Sequence, residues 1–382
     1  MSVSEQPLAF YVHLPWCVQK CPYCDFNSHG LRGELPEARY LEALLGDIAE
    51  EASRAPGRRV ASVFIGGGTP SLFSADAVGR ILAAIDHHCG LGAEAEITLE
   101  ANPGTAEAAR FAGYRAVGVN RLSIGVQSLD DERLARLGRI HSAQEAAGAF
   151  AMARDAGFDN VNLDLMFGLP DQSVDAALAE LQAAVDMAPE HLSWYQLTLE
   201  PNTRFAAEPP AGLPDDDALA EMQDCGVEVL EQAGFARYEV SAYATPKRQC
   251  RHNLNYWRFG DYLAVGAGAH GKLTLDTGEI ERRWKHRHPN TFLGSALKTA
   301  EASRIAPAQL PFEFMLNALR LTRGVEAELY PLATAQPITQ LDTVWRTLVA
   351  RGLVEPQSSG RLCCTPLGYR WLNDVVAAFL PE

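Results

Sequence analysis

Basic charge is scarce in this chain. Its 382 residues carry 33 Lys and Arg against 48 Asp and Glu, a net charge of −15. Broad binding to a phosphate backbone needs clustered cations, so nucleic acid is not an expected partner. One dense basic run occurs, Arg282 to His288, and such runs ordinarily form a solvated face. Long apolar runs are missing too: nothing approaches the ~18 uninterrupted apolar residues of a membrane helix. The opening Met-Ser-Val-Ser-Glu-Gln-Pro has neither a basic n-region nor an apolar core, so no secretory signal or lipidation motif is visible. Eight cysteines are too few for a disulfide scaffold in a chain this long. The G-x-x-x-x-G-K-[ST] phosphate loop and the G-x-G-x-x-G dinucleotide fingerprint are both absent, and no internal repeat is apparent. What remains is 47% hydrophobic and 21% charged, the composition of an ordinary globular protein.

Apolar runs of strand length alternate with helical patterns over the first half of the chain. Strands are expected at 8–14, 60–66, 95–100, 119–125, 159–165 and 191–199. Helices are expected between them at 36–54, 74–88, 105–115, 130–156 (broken) and 173–187. Six β-then-α units imply an α/β core with a parallel sheet, as a curved incomplete barrel or an open doubly wound sheet. Four prolines mark 201–216 as a loop. A helix at 215–233 and a strand near 237–243 follow, and then an irregular stretch rich in glycine and aromatics. Past residue 305, helices at 308–322, 338–350 and 366–379 surround a hairpin of 352–356 and 361–365, which suggests a winged-helix-like module. The expected division is a core over 1–240, an irregular linking segment over 241–304 and a mainly helical C-terminal module over 305–382.

Three cysteines, Cys17, Cys21 and Cys24, form a C-x3-C-x2-C run directly after the first strand. Thiolates so close on one loop can hold three corners of a cubane iron–sulfur cluster and leave the fourth iron open to a small molecule. The competing reading is zinc, with His13 or His29 as fourth ligand. Zinc sites usually bring ligands in separated pairs, and no second C-x2-C occurs. A thiolate-held cluster needs a reducing compartment, so a cytoplasmic location is expected.

Other candidates gather at the C-terminal ends of expected strands, where parallel α/β folds place their sites. The Gly66-Gly67-Gly68-Thr69-Pro70 run lets the backbone approach a ligand with no Cβ in the way. Glu100 and Asn102 end the next strand, where a carboxylate can accept from a ribose diol. Gln127 ends another, with Arg139 twelve residues on, able to meet a carboxylate bidentately. Asp164 is expected at a fifth strand end. Cys250-Arg-His252-Asn253-Leu-Asn-Tyr256-Trp257 combines a histidine with aromatics. His252 is either an axial haem ligand or a residue that ties down its loop, with Cys250 as an alternative thiolate. Cys363 and Cys364 are expected as packing residues.

Taken in order, these motifs resemble the branch of the radical S-adenosylmethionine superfamily that contains oxygen-independent coproporphyrinogen III oxidases and haem chaperones. The pattern Y-x-H-x-P-x-C-x3-C-x2-C is met by Tyr11, His13, Pro15, Cys17, Cys21 and Cys24, and the resemblance runs from Tyr11 into the C-terminal module. It implies a partial (β/α)6 TIM-type barrel and a [4Fe-4S] cluster on Cys17, Cys21 and Cys24. It also implies S-adenosylmethionine contacts from Tyr11, Tyr23, Gly67, Gly68, Thr69, Glu100, Gln127, Arg139 and Asp164. Oxidases of this branch carry a further cysteine two residues after the third cluster cysteine; here that position is Phe26. They also have a longer segment before the tyrosine, where ten residues stand here. The H-N-x-x-Y-W motif is a chaperone feature associated with haem. The resemblance therefore implies a haem carrier rather than a decarboxylating enzyme. Expected partners are haem, apo-haemoproteins of the respiratory type and an electron donor if the cluster is reduced. Membrane contact is expected only through such partners, and the chain is expected as a monomer or homodimer.

Overall fold

The structure, a computed structural model, describes residues 8–104 and 109–381. Six strands follow one another as expected: β1 (Leu8–Leu14), β2 (Val60–Gly67), β3 (Leu91–Ala101), β4 (Arg121–Gln127), β5 (Val161–Phe167) and β6 (His191–Gln196). Each pairs in parallel with the next. Helices Glu37–Ala52, Ala75–Cys89, Phe111–Ala116, Asp131–Arg136, Ala143–Asp155 and Val174–Asp186 lie between them. Residues 105–108 of the helix expected at 105–115 lie outside the described residues.

Side-chain alternation explains how these strands serve two surfaces. In β1, Leu8, Phe10, Val12 and Leu14 are wholly buried in the main hydrophobic core. The intervening Tyr11 and His13 line a cavity on the other face. The same period recurs in β4, where Leu122, Ile124 and Val126 join the core while Ser123, Gly125 and Gln127 face the cavity.

The stretch expected to be irregular, 241–304, is mostly ordered. It holds the helices Arg251–Trp257 and Pro289–Gly294 and five strands. After β7 (Ala236–Arg237) and β8 (Ala242–Ala244) come β9 (Asp261–Val265), β10 (His270–Thr274), β11 (Ile280–Lys285) and β12 (Thr299–Arg304). Among the described residues the main sheet runs β12-β11-β10-β9-β1-β2-β3-β4-β5-β6-β8-β7, twelve strands whose two edges do not meet. Strand β9 joins β1 in parallel, and β10 to β12 continue as an antiparallel meander. Short sequence windows could not reveal this, because the strand that templates β9 lies at the other end of the chain. The single strand expected near 237–243 is likewise two short antiparallel strands, β7 and β8.

Part of the basic run expected to be solvated is buried. Lys285 is 2% exposed and donates to Asp47 at 2.5 Å and Glu51 at 2.8 Å, on the helix Glu37–Ala52. Asp261, in β9, accepts from Arg58 at 2.6 Å and Lys272 at 3.1 Å. These buried ion pairs fasten the meander to the barrel.

The C-terminal part packs Phe314, Tyr330, Trp345 and Leu362 into a second core. Its helices are Leu310–Ala318, Leu329–Thr334, Asp342–Ala350, Pro366–Arg370 and Leu372–Ala377. The expected hairpin is reduced to one bridge between Val354 and Cys364, while Arg361–Leu362 pairs with Val325–Glu326 instead. Cys364 is buried there and Cys363 half-buried. No helix among the described residues is long and apolar enough to cross a membrane.

Candidate functional site

The inner faces of β1 to β6 and of the meander enclose one cavity of ≈ 1190 Å³. This exceeds the ~300–1,000 Å³ of ordinary ligand pockets and leaves room for more than one small ligand. All thirteen residues singled out from the sequence line it: the three cysteines, Tyr11, Tyr23, Gly67, Gly68, Thr69, Glu100, Gln127, Arg139, Asp164 and His252.

The cysteine loop leaves the C-terminal end of β1 and is pinned on both sides. Trp16–Cys17 pairs with His29–Gly30, and the backbone N–H groups of Gly68 and Thr69 donate to Leu14 and Trp16 carbonyls. Asn27 Nδ2 donates to the Ala267 and Arg287 carbonyls at 2.9 and 2.8 Å. Cys17, Cys21 and Cys24 are free, half-buried thiols. Arg139 Nη1 donates to Cys21 Sγ at 3.7 Å, and Cys24 Sγ lies 3.6 Å from Ser28 Oγ. Free thiols on one pinned loop at a cavity wall could hold a cubane cluster, which takes each thiolate on a different iron. Among the described residues no group of three or more His, Cys, Asp or Glu is arranged around a single metal ion. His13, the zinc alternative, is fully committed: Nδ1 accepts from Tyr11 Oη at 2.9 Å and Nε2 donates to the Asn27 carbonyl at 3.0 Å. Burial pulls its pKa down to about 4. His29 does not line the cavity.

Beside the thiols lies a polar wall. Gly67, at φ +117°, presses its backbone against the His13 ring, and a Cβ there would stand 2.6 Å from Cε1. Its N–H donates to Glu100 Oε2 at 3.1 Å. Burial, and then the charge of Asp164, push the Glu100 carboxyl up to about 7. Gln127, at φ +70°, accepts from Tyr195 Oη at 2.5 Å. Arg139 lies in the break between the helices Asp131–Arg136 and Ala143–Asp155. That break lets its Nη2 reach the Asn102 Oδ1 and the Gly125 carbonyl, both at 2.8 Å. Asn102 in turn donates to Thr69 Oγ1 at 3.0 Å. Asp164 lies mid-strand in β5, a layer deeper than a strand end, and accepts from Asn162 at 2.8 Å and Ser123 at 3.2 Å.

The helix Arg251–Trp257 closes the far end of the cavity, near the N-terminal halves of the strands. Glu96 of β3 accepts from the backbone N–H groups of Arg251 and His252 at 3.1 and 3.2 Å. His252 is 1% exposed, with Nδ1 3.1 Å from Ser62 Oγ and Nε2 2.9 Å from Tyr256 Oη. Burial, and then Arg121, pull its pKa down to about 3. Both ring nitrogens of His252 thus bond neighbours that hold the helix in place. Cys250 cannot serve as a ready thiolate: it is wholly buried, its Sγ donates to Glu96 at 3.5 Å, and burial pushes its pKa up to about 12.

Sequence reasoning passed over Ser123, Asn162, His191, Ser193, Tyr195, Tyr262, His270, Trp284 and His286, all of which line the cavity. A signal was present in β4 to β6. There polar residues sit two apart within apolar strands, as in Arg121-x-Ser123-x-Gly125-x-Gln127 and His191-x-Ser193-x-Tyr195. Arg121 is buried on the cavity wall and, among the described residues, its Nε has no partner.

Comparison with known proteins agrees with this geometry. The model of the radical SAM superfamily matches residues 11–184, and that of the HemN C-terminal domain matches 305–371. Heme chaperone HemW of Escherichia coli (strain K12) is 53% identical over 319 residues, 84% of each chain. Heme chaperone HemW of Haemophilus influenzae is 48% identical over 385 residues, 98% of each chain. The mouse mitochondrial radical S-adenosyl methionine domain-containing protein 1 is 38% identical over 98% of this chain and 87% of its own length. Coproporphyrinogen III oxidase (HemN) from Escherichia coli superposes with a TM-score of 0.82 over 98% of this chain and 90% of that one. At 22% identity that likeness is one of fold: a TIM-type radical SAM core with a C-terminal domain. The chain belongs to the radical S-adenosylmethionine superfamily, within the family of the heme chaperones named HemW.

Proposed function

We propose that this protein carries haem and delivers it to apo-haemoproteins, respiratory ones among them, and that it does not decarboxylate coproporphyrinogen. A [4Fe-4S] cluster on Cys17, Cys21 and Cys24 would bind S-adenosylmethionine in the same cavity. The observation that carries the reading is 48% identity to a heme chaperone along 98% of both chains. The convergence of the thirteen residues on one cavity supports the cofactor part. When bound and reduced, such a cluster supplies the electron that cleaves the S–C5′ bond of S-adenosylmethionine.

The residues have distinct parts in this reading. Gly67 and Gly68 pack their backbone against the His13 ring and the Trp16 carbonyl, where a Cβ has no room, and would lie beside the methionine moiety. Glu100 would accept from the ribose diol, with its proton shared at neutral pH because its pKa stands at about 7. Arg139, already braced by Asn102 and the Gly125 carbonyl, holds a guanidinium beside Cys21 for the ligand's carboxylate. Tyr11, Tyr23, Thr69, Gln127 and Asp164 complete the wall.

Two measurements test this. Changing Cys17, Cys21 or Cys24 to Ala is expected to abolish anaerobic cluster reconstitution, read as bound iron and visible absorbance. Stoichiometric zinc in anaerobically purified protein, with no iron uptake, would contradict it. Incubation with coproporphyrinogen III, S-adenosylmethionine and a reductant is expected to yield no protoporphyrinogen, while haemin titration gives a saturable Soret shift. Protoporphyrinogen formation would make the protein the oxidase instead.

A further inference from the structure

We propose that the buried guanidinium of Arg121 takes a carboxylate of the cargo, a haem propionate, at the closed end of the cavity. The inference rests on the haem-carrier reading and names the residue that holds the acid arm. Arg121 opens β4, lines the cavity and is 2% exposed. An arginine stays charged at any ordinary pH and carries donors only. Buried donors in folded proteins nearly always have acceptors. Among the described residues no hydrogen bond or ion pair holds this guanidinium, and its Nε is buried. Glu96 and Asp164 act on it through charge alone. Their bonds go elsewhere: Glu96 accepts from the backbone of Arg251 and His252, and Asp164 from Asn162 and Ser123.

Strand register fixes where this donor stands. Tyr11 of β1, Phe64 of β2, Thr98 of β3 and Arg121 of β4 form one row across the sheet. The row below contains Ser62 and Glu96, which hold the helix Arg251–Trp257. Gln127 ends the strand that Arg121 opens, so the two stand about 20 Å apart by strand rise. The carboxylate of S-adenosylmethionine has Arg139 at that other end and does not need Arg121. Further unpartnered atoms lie near the helix. Thr98 leaves its buried Oγ1 without a partner, and so does Trp257 its buried indole Nε1. Buried donors left open at one end of a cavity call for an acceptor from the ligand.

The adjoining walls suit a flat apolar ring with an acidic edge. Tyr11 stacks on Phe64 with ring centroids 6.4 Å apart, and Tyr256 meets Tyr262 edge-on at 4.5 Å. All four line the cavity. A macrocycle packs against such faces. Its acidic edge then meets a planar fork that matches a carboxylate through two parallel bonds. The guanidinium is already out of water in the folded chain, so its desolvation is not charged again to binding. The cargo lies against the helix Arg251–Trp257 in this arrangement, and the cysteine end stays open to the second, smaller ligand.

The test is spectral titration of the full chain with haemin and with haemin dimethyl ester, whose propionates are blocked. Wild type, Arg121→Gln, Arg121→Lys and Arg287→Gln are compared. Wild type is expected to bind haemin about tenfold or more tighter than the ester. Arg121→Gln should weaken haemin by that factor and leave the ester within about twofold, which erases the preference. An arginine with a structural part only would change both affinities alike. Arg121→Lys keeps the charge without the fork and should lose most of the preference; it carries the test if the glutamine variant does not fold. Arg287→Gln, at the exposed mouth of the cavity, should keep the wild-type preference. Equal binding of both forms by wild type, a preference intact in either folded Arg121 variant, or one lost in Arg287→Gln overturns the assignment. A wild type that binds neither form fails the carrier reading itself, a different result from a carrier that grips the propionate elsewhere.

Discussion

Glu100 is a buried carboxyl whose pKa is raised, by burial first and by Asp164 second, to about 7. The folded protein therefore holds this proton more tightly than the unfolded chain, whose glutamate titrates at ~4.3. The stability it contributes is present below that pH and is lost as pH rises through about 7. Glu100→Gln should flatten the fall in melting temperature between pH 5 and 8 and should stabilise the ligand-free protein at pH 8 by ~1–3 kcal/mol. Identical pH slopes for variant and wild type would show that Glu100 is not the group. Gly67→Ala is a harder substitution, since at φ +117° its Cβ would meet the His13 ring at 2.6 Å. Urea titration should show a loss of ~2 kcal/mol or more. At this scale the site was legible where chemistry sits in a compact motif, as with the cysteines and the glycine run. It was illegible at Ser123, Asn162 and Ser193, single polar residues within apolar strands that meet only once the sheet curves around the cavity.

The helix Arg251–Trp257 forms within a stretch expected to be irregular, and long-range bonds hold it. In the sequence, His252 with Tyr256 and Trp257 reads as either a haem ligand or a residue that ties down its loop. In the fold, Glu96 accepts from its first N–H groups, and His252 is bonded to Ser62 and Tyr256. Glu96 and Ser62 lie on strands more than a hundred residues earlier, so no local pattern could show the helix as a plug. Losing the His252 ring leaves a cavity and strands two hydroxyls. His252→Ala should cost ~2–4 kcal/mol of unfolding free energy, measured by chemical denaturation. A change below ~0.5 kcal/mol would mean that the plug does not depend on this ring.

At the scale of the molecule, the six βα units were readable because each strand is apolar on one face and several of the helices carry their own start signal. Ser74, Ser142 and Ser173, for example, each accept from a backbone N–H in the first turn. The meander was not readable, because it is held by charges that meet only in three dimensions. Asp261 shows this. Burial alone would raise its pKa, yet Lys272 and Arg58 hold it below the usual carboxylate value. Asp261→Ala strands both cations inside the protein and should cost ~3–5 kcal/mol. Hydrogen exchange should show β9 to β12 opening first; uniform protection across the sheet would argue that the meander is fastened some other way. That meander also lines the cavity, through Tyr262, His270 and Trp284. The most direct test of the whole account is haem transfer. The haem-loaded protein is mixed with an apo-haemoprotein under anaerobic conditions, and the Soret band is followed as donor and acceptor are separated. The account predicts that haem leaves this chain and appears, ligated, in the acceptor. Haem that stays on this chain, or reaches the acceptor no faster than free haemin does, would contradict it.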